Sequence, residues 1–366
     1  MEIRTGLSYG DALLVPQRSP VDSRSDIELT AQLTPSLTLD IPLVSAAMDT
    51  VTETETAIAL AELGGLGVIH RFLSIDDQAD AVRTVAAHGG PVAAAVGIDE
   101  DYLARTEAIL DAGVDAVVLD VAHGHMERAL DAVAAIRAEY DPEIVAGNVV
   151  TPQAVEDLAA AGADCIKVGV GPGSHCTTRE VAGAGYPQLS AVDECADRAD
   201  ELGVTVMADG GIKHSGDAAK ALMAGAETVM MGGFFAGTDE APGRVVSRGG
   251  ERFKRSRGMA STAANDDRAD KELTVDAGEG VDALTPYKGP LTPLTEEFLA
   301  GIRSGISYCG RHTIQKAREN AVFVKVDQGA KERESAHGVL VDAGQLSQAS
   351  ASSSRTNGEQ PPASKH

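Results

Sequence analysis

The residue type best suited to chemistry is a cysteine inside a glycine-rich segment. Residues 169–179 read Gly-Val-Gly-Pro-Gly-Ser-His-Cys-Thr-Thr-Arg, and the cysteine is Cys176. On an exposed loop its thiolate would be a nucleophile toward an electrophilic carbon. The glycines and the proline let backbone groups turn toward a ligand, and Ser174 can donate a hydrogen bond to a phosphate oxygen. A glycine turn with an incidental thiol is the alternative, and the position of the segment after a predicted strand argues against it.

Two glycine pairs further along the chain predict the rest of a phosphate site. The pairs at 210–211 and 232–233 each follow a predicted strand, where backbone N–H groups commonly bind phosphate. Asp209 precedes the first pair, and a carboxylate beside a phosphate site suits the vicinal hydroxyls of a ribose. Ordinary turn glycines are the alternative. Together with the cysteine segment, these loops predict binding of a nucleoside monophosphate whose base lies near Cys176.

The sequence offers little for a metal site. His123 and His125 flank Gly124, but two histidines without a third ligand make a weak site, so a loop that contacts a second ligand is the favoured interpretation. The 4 cysteines show neither CxxC pairing nor zinc-ligand spacing, which disfavours structural zinc. His70 is expected to be a hydrogen-bonded histidine at a strand end.

A regular alternation of strands and helices is expected to position these residues. Eight short apolar runs have the length of strands buried on both faces, which indicates parallel packing; they are residues 42–46, 66–70, 92–96, 116–121, 144–149, 165–170, 204–208 and 228–231. Helical spacing occurs at 54–63, 76–87, 101–112, 126–139, 152–161, 189–201, 216–224 and 294–304. Three helix exits place a glycine where a left-handed residue ends a helix, at Gly113, Gly162 and Gly225. The pattern predicts an α/β fold, a closed (β/α)8 barrel of the TIM type rather than a doubly wound open sheet, with active residues after the C-terminal ends of the strands.

After the eighth predicted strand the chain departs from this repeat. Residues 234–290 are polar and charged, and we expect an active-site flap at about 250–290, because so long a loop inside a compact domain is usually functional. The catalytic barrel is expected to span residues 1–326 as a single domain. Residues 327–366 become low in complexity and are expected to form a disordered tail.

The charge of the chain excludes several classes of protein. Its 366 residues carry 31 Lys and Arg against 55 Asp and Glu, a formal net charge of −24. A protein whose main partner is nucleic acid has the opposite excess, so no such partner is expected. No stretch is apolar over the roughly 20 residues of a membrane helix, and the N-terminus lacks a signal-peptide pattern, which predicts a cytoplasmic protein without a membrane partner. The acidity is typical of a halophilic protein in concentrated salt; an acidic mesophile is the alternative.

Several segments together resemble one enzyme family over about residues 1–326. They read Ser-Ala-Ala-Met-Asp-Thr-Val-Thr-Glu at 45–53, Ala-Gly-Asn-Val at 146–149, the cysteine segment at 169–179, Gly-Tyr-Pro-Gln at 185–188, Ala-Asp-Gly-Gly-Ile at 208–212 and Pro-Tyr-Lys-Gly at 286–289. The sequence is similar to the IMP dehydrogenase / GMP reductase family, and the cysteine segment is the most specific match. The resemblance implies a (β/α)8 barrel that forms a homotetramer. The regulatory CBS modules that dehydrogenases usually carry are not expected, since the chain has room for only one helix between His70 and Pro91.

The resemblance also implies a role for each candidate site residue. Cys176 resembles the nucleophile that adds to C2 of the purine. Residues that resemble the phosphate, ribose and base contacts are Ser174, Gly211, Gly232 and Gly233 for the phosphate, Asp209 for the ribose, and Met48 and Met259 for the base. Those expected to bind the nicotinamide cofactor are Asp120, Ala122 and His123. The carbonyls of Gly171, Gly173 and Cys176 resemble a monovalent cation site, which implies K⁺.

The family catalyses two reactions, and the flap favours one of them. In a dehydrogenase a mobile flap delivers an Arg-Tyr pair that activates water, and no Arg-Tyr dipeptide occurs between Met259 and Tyr287. A reductase instead uses a Thr/Glu pair for proton transfer as ammonia leaves, and Thr178 and Glu279 match those positions. We therefore expect a GMP reductase of purine salvage, which converts GMP to IMP and ammonia with NADPH.

Other segments favour the alternatives. Residues 45–53, 122–125 and 237–243 resemble bacterial dehydrogenases, and Ser256 stands where dehydrogenases usually have a phosphate-contacting tyrosine. His175 stands where the family pattern has an apolar residue. The main alternative is therefore an IMP dehydrogenase that oxidises IMP to XMP with NAD. A non-catalytic purine-nucleotide-binding barrel is a further alternative, against which the intact Cys-Thr-Thr-Arg segment argues.

Overall fold

The computed structural model describes residues 1, 3–99, 101–261, 264, 278–327 and 329 of the chain. Met1–Val326 forms one compact unit, and Asp327–His366 is counted as a second. The predicted tail lies outside the described residues except for positions 327 and 329, and so do positions 262–263 and 265–277 of the predicted flap. The structure therefore describes the barrel and the two ends of the flap.

A short N-terminal region precedes the repeating units. It contains β1 (Ala12–Leu14) and an antiparallel pair formed by β2 (Ala31–Gln32) and β3 (Thr38–Leu39). Leu33 and Leu39 are buried in the same apolar cluster as the interior of the barrel. The backbone carbonyl of Leu33 accepts a hydrogen bond from Thr205, the first residue of a barrel strand. The hairpin thus covers the N-terminal end of the barrel and leaves the opposite end for a ligand.

Eight parallel strands close into the barrel. They are β4 (Leu43–Ser45), β5 (Leu66–Ile69), β6 (Val92–Val96), β7 (Ala116–Asp120), β8 (Ile144–Val149), β9 (Cys165–Val168), β10 (Thr205–Asp209) and β11 (Thr228–Met231). Each strand pairs with the next, and β11 pairs with β4 to complete the ring. The predicted (β/α)8 barrel is confirmed, and every predicted barrel strand lies within two residues of its predicted bounds.

Helices follow the strands around the barrel. They are α1 (Thr54–Glu62), α2 (Ile75–Ala86), α3 (Tyr102–Asp111), α4 (Glu127–Tyr140), α5 (Pro152–Ala161), α6 (Thr178–Val181), α7 (Gln188–Leu202) and α8 (Ser215–Met223). Thr151 caps α5 by accepting from the N–H of Ala154, as an N-cap hydroxyl does. Gly113, Gly162 and Gly225 have φ values of +92°, +111° and +110°, so the predicted left-handed exits are present. Only the four-residue α6 was not predicted among these eight.

Alternation along the strands builds two apolar layers. In β6, Ala93 and Ala95 belong to the cluster that fills the barrel, whereas Val92, Ala94 and Val96 pack in the cluster that includes the helices. Successive strand residues point to opposite faces of a sheet, so one apolar run supplies both layers. Alanines and valines of the strands fill the interior together with Leu66, Cys165, Met207 and Met230. The barrel is a packed core, and its loops carry the polar groups.

The C-terminal part adds a small sheet and the last helices. The strands β12 (Val245–Arg248), β13 (Glu251–Arg257) and β14 (Asp282–Pro286) form an antiparallel sheet that was not predicted. The predicted helix at 294–304 is present as the longer α9 (Leu291–Tyr308), followed by α10 (Ile314–Asn320). The last strand, β15 (Phe323–Lys325), pairs antiparallel with β1. None of the helices in the described part of the chain has the length and apolarity that a membrane crossing requires.

Candidate active site

The loop that follows β9 carries the predicted nucleophile. We call residues 169–177 the Cys loop. A Cβ on Gly169, whose φ is +152°, would lie 2.1 Å from the carbonyl oxygen of Asp209, so the loop can leave the barrel here only as glycine. Ser174 and Cys176 are exposed, whereas His175 between them is buried. The Cys loop therefore presents its hydroxyl and its thiol to the mouth of the barrel.

The far end of the flap pairs with the Cys loop like a strand. Cys176 and Gly280 form an antiparallel bridge. The N–H of Thr177 donates to the carbonyl of Glu279 at 2.8 Å, and the N–H of Val281 donates to the carbonyl of His175 at 3.0 Å. These backbone bonds fix the register between two segments about one hundred residues apart, and they place the side chain of Glu279 beside the start of α6.

A hydrogen-bond chain links the thiol to a carboxylate. The Sγ of Cys176 donates to Oγ1 of Thr178 at 3.2 Å, and Oγ1 of Thr178 donates to Oε2 of Glu279 at 2.7 Å. The other three cysteines are buried, and burial raises the pKa of Cys165 and Cys195 to about 12 each, so those thiols stay protonated and inert. Cys176 alone among the cysteines combines exposure with a proton relay.

Three glycine-containing turns converge on Ser174. A Cβ on Gly233 would lie 2.7 Å from Oγ of Ser174, and one on Gly210 would lie 3.2 Å from the backbone N of Gly173. Gly211 has a φ of +80°, and a Cβ there would lie 3.2 Å from the side chain of Pro172. Within the described part of the chain, no backbone carbonyl accepts from the N–H of Gly211 or Gly233. A concave cluster of free N–H groups and one hydroxyl is a site for an anion.

A buried lysine joins the two predicted carboxylates. The Nζ of Lys167 lies 2.8 Å from Asp120 and 2.8 Å from Asp209, and it also donates to the side-chain oxygen of Asn148. Asn148 in turn donates to Asp209 at 2.8 Å. Burial by itself would lower the pKa of Lys167, but the two carboxylates outweigh it and raise that pKa, so the ammonium stays charged. The network fixes Asp120 at the end of β7 and Asp209 at the end of β10, with the carboxylates still partly exposed to solvent.

The two predicted methionines lie at the first loop of the barrel. A Cβ on Gly232 would lie 2.7 Å from Sδ of Met48. The Sδ of Met259 accepts from the N–H of Asp49 at 3.5 Å. Arg257, at the end of β13, forms an ion pair with Asp49 that ties the flap to this loop. Met48 therefore lies against the turn at Gly232, and Met259 lies beside the next residue of the same loop, so a flat base could pack on these polarizable side chains.

The predicted cofactor loop after β7 is open. Ala122 and His123 are exposed there, beyond the strand end that carries Asp120. The Nε2 of His125 donates to the carboxylate of Asp157 at 2.7 Å, and this hydrogen bond lowers the pKa of Asp157. In the described residues, no group of three or more His, Cys, Asp or Glu side chains is arranged to hold a metal ion. The exposed side chains of Ala122 and His123 are accessible to a second ligand.

His70 and the carbonyls of the Cys loop complete the predicted set. His70 is buried at the end of β5, and its Nδ1 accepts from the N–H of Phe72 at 3.2 Å.

The predicted cation site consists of backbone carbonyls of the Cys loop. The carbonyl of Gly173 accepts from the N–H of Cys176 at 3.2 Å and keeps a second lone pair. Gly171, with a φ of +81°, contributes the remaining turn. As ligands, carbonyl oxygens on one tight turn suit a monovalent cation better than a transition metal.

Comparison with known proteins assigns the chain to a family. The model of the "IMP dehydrogenase / GMP reductase domain" matches residues 6–337. The chain belongs to this family. The resemblance seen in the Cys loop is confirmed, and this member is an oxidoreductase that acts on purine nucleotides with a nicotinamide cofactor.

Relatives carry the names of both family reactions. The inosine-5'-monophosphate dehydrogenase of Nitrosopumilus maritimus is 35% identical over 475 residues, which cover 93% of this chain and 100% of that protein. The GMP reductase of Leishmania donovani is 34% identical over 473 residues, which cover 90% and 96%. Both alignments are longer than the 366 residues of this chain. The two relatives therefore contain insertions that this family member lacks, in agreement with the expected absence of CBS modules.

A solved structure of the family has the same fold. The crystal structure of a cysteine-to-alanine variant of Trypanosoma brucei GMP reductase, in complex with guanosine 5'-monophosphate, superposes with a TM-score of 0.88 at 31% identity. The match covers 93% of this chain and 99% of that chain. The comparisons agree on the family, but they include both IMP dehydrogenases and GMP reductases and so do not separate the two reactions.

Sequence reasoning missed two site residues of this family member. No role is predicted from the sequence for Lys167, and Asn148 is covered only by the resemblance of the segment at 146–149. A signal was present, because Lys167 interrupts the apolar run Cys-Ile-Lys-Val at 165–168, and a lysine inside a buried strand requires paired carboxylates.

Proposed function

We propose that this family member is a GMP reductase, which converts GMP to IMP and ammonia with NADPH. The observation that carries the proposal is the hydrogen-bond chain from Cys176 through Thr178 to Glu279. A reaction that expels ammonia needs a group that removes the proton of the thiol and delivers a proton to the amine. A carboxylate that reaches the thiol through a hydroxyl does both.

In the first half of the reaction, sulfur replaces nitrogen at C2 of the purine. The Sγ of Cys176 forms a bond to C2, and the proton of the thiol passes through Thr178 to Glu279. The same relay protonates the exocyclic amine, the C2–N bond breaks, and ammonia leaves. The base is then attached to Cys176 as a thioimidate, and no net proton has been gained or lost.

In the second half, C2 is reduced and the sulfur leaves. The nicotinamide nucleotide, when bound, supplies the hydride. The C–S bond breaks with its electron pair on sulfur, so Cys176 is released as a thiolate that takes up one proton, and the product is IMP. Asp120 lies at the barrel mouth with its carboxylate held by Lys167, and we assign it, with the exposed Ala122 and His123, to the nicotinamide nucleotide.

The remaining contacts place the nucleotide. The N–H groups of Gly211 and Gly233 and the hydroxyl of Ser174 would bind the phosphate, together with the turn at Gly232. Asp209 would accept hydrogen bonds from the ribose hydroxyls while Lys167 and Asn148 keep it in place. Met48 and Met259 would pack on the base. The carbonyls of Gly171, Gly173 and Cys176 would hold K⁺, and we propose a homotetramer.

IMP oxidation to XMP with NAD remains the second candidate, because relatives named IMP dehydrogenase match the chain as extensively as those named GMP reductase. That reaction requires a water-activating base on the flap. Between Met259 and Tyr287 the chain contains no Arg-Tyr pair, whereas the Thr178–Glu279 contact is present.

One assay separates the two reactions. Purified protein is incubated with GMP and NADPH in one cuvette and with IMP and NAD in another, and the absorbance of reduced nicotinamide is followed. The proposal requires a fall in the first and release of ammonia in equal amount. A rise in the second cuvette, with no change in the first, would identify an IMP dehydrogenase instead.

A further inference from the structure

His175 occupies the centre of a chain of four polar side chains behind the Cys loop. Its Nδ1 lies 3.1 Å from Oγ of Ser174, and its Nε2 lies 2.7 Å from Oγ of Ser256 on β13. The hydroxyl of Ser256 lies 2.7 Å from that of Thr285 on β14. The imidazole is buried, with 8% of the residue exposed, whereas Ser174 is exposed at the glycine turns.

The position of the proton on the ring decides what Ser174 can do. A neutral imidazole carries a single N–H, on either Nδ1 or Nε2. If the proton is on Nε2, the ring donates to Ser256, and Nδ1 takes the hydroxyl proton of Ser174. If the proton is on Nδ1, the ring donates to Oγ of Ser174, and the hydroxyl proton of Ser174 is free for another acceptor.

The ionised oxygens of a phosphate group only accept hydrogen bonds. A bound phosphate therefore favours the arrangement with the proton on Nδ1, in which the hydroxyl of Ser174 can donate to it. We propose that His175 is a positioning residue for the phosphate of the nucleotide, holding its proton on Nδ1 so that the hydroxyl of Ser174 donates to a phosphate oxygen. The donors then all point one way, from Thr285 to Ser256, from Ser256 to His175, and from His175 to Ser174. Hydrogen bonds aligned in this sense polarise and strengthen one another.

The location of the ring agrees with this role. Oγ of Ser174 would be 2.7 Å from a Cβ on Gly233, and Cε1 of His175 would be 3.9 Å from it. The imidazole therefore lies directly behind the turn whose N–H faces the proposed phosphate. The hydrogen-bond chain begins at Thr285 and Ser256, which lie on two strands of the antiparallel sheet β12–β14, the flap sheet. Phosphate binding and the position of the flap therefore share one hydrogen-bond network. This inference rests on the phosphate site of the proposed function.

The alternative is a structural role, in which His175 only anchors the flap sheet to the Cys loop. Two variants separate the roles, since the amide of asparagine reaches the position of Nδ1 and the amide of glutamine reaches that of Nε2. His175→Asn keeps a donor for Ser174, whereas His175→Gln keeps the bond to Ser256 and loses the donor. Dissociation constants are measured by calorimetry for GMP and IMP and for the phosphate-free guanosine and inosine.

His175→Gln is expected to weaken binding of GMP and IMP about tenfold, the size of one charge-assisted hydrogen bond, and to leave the nucleosides unchanged. His175→Asn is expected to retain most of the nucleotide affinity. In a Ser174→Ala background, His175→Gln should cause no further loss. An equal loss for nucleotides and nucleosides, or additive losses in the double variant, would overturn the positioning role and leave the structural one.

The same measurements keep the two proposals apart. The ratio of nucleotide to nucleoside affinity does not depend on which reaction the enzyme catalyses. If the unaltered protein binds no nucleotide more tightly than its nucleoside, the phosphate site and this inference both fail. If it does and the ratio is insensitive to His175→Gln, only the inference fails. Should the glutamine variant not fold, the Ser174→Ala ratio and the asparagine variant decide the question.

Discussion

The hydroxyl of Thr178 lies 2.7 Å from the carboxylate of Glu279, although 101 positions separate them in the chain. The contact exists because residues 279–281 pair with the Cys loop through backbone hydrogen bonds. The acid of the proposed reaction is therefore delivered by the flap, whereas the nucleophile belongs to the barrel.

The first prediction concerns the thiol. Cys176→Ala should abolish turnover, because no covalent bond to C2 can form, while the dissociation constant for GMP stays within about threefold, since the phosphate and ribose contacts provide the affinity. Absorbance of reduced nicotinamide and calorimetry measure the two quantities. Cys309→Ala, which removes a buried thiol outside the site, is the matched control. Measurable turnover in the Cys176 variant would contradict the mechanism.

The second prediction concerns the relay. Glu279→Gln should lower kcat for GMP reduction by about 10²–10⁴, the usual contribution of a general acid–base group, with little change in the KM for GMP. Thr178→Val should show a similar loss, and Thr178→Ser should restore activity because it keeps the hydroxyl. Effects that add when both residues are changed would argue against a single relay, since members of one unit are not additive.

The third prediction concerns the buried ammonium. Lys167→Met should lower the free energy of unfolding by about 3–5 kcal/mol, because Asp120 and Asp209 are then left without their counter-ion. Lys316→Met, on an exposed turn of α10, is the control and should change it by less than about 0.5 kcal/mol. Urea denaturation measures both. A stable Lys167 variant would show that the two carboxylates are solvated well enough without it.

The fourth prediction concerns the glycine turns. Gly233→Ala places a Cβ 2.7 Å from Oγ of Ser174, so the hydroxyl must rotate away and GMP should bind about tenfold more weakly. Gly216→Ala in α8, where nothing lies within 4 Å of a Cβ, should leave binding unchanged and stabilise the helix by roughly 0.5–1 kcal/mol. Equal affinities in the two variants would argue against a phosphate at this turn.

The fifth prediction concerns pH. Burial holds the pKa of His175 below its ordinary value, so below about pH 6.5 the unfolded chain binds more protons at this residue than the folded chain. This contribution to stability is therefore lost as the pH falls. His175→Asn should lose less stability than the unaltered protein between about pH 7 and pH 5 in urea titrations. Parallel curves for the two proteins would show that the imidazole is solvated.

Much of the barrel could be predicted because its signals are local. Runs such as Val92–Val96 have the length and β-branched or small residues of buried strands, and glycines such as Gly162 end helices wherever a left-handed residue is required. The flap sheet could not be predicted in this way. Five of the seven residues of its strand β13 are charged, which hides the usual strand pattern. Two of these, Lys254 and Arg257, are held by backbone carbonyls and by Asp49, and no local pattern brings those partners near.

By itself, the order of residues determined the barrel and the positions of the reactive groups, since parallel strands end on one face and each loop after a strand must lie there. Only the tertiary structure decided how those groups work together. Lys167 could be assigned to Asp120 and Asp209, and His175 to Ser256, only after distant segments had been packed. Hydrogen bonds and ion pairs act over about 3 Å, whereas the spacing of residues along a chain says nothing about distances across a barrel mouth.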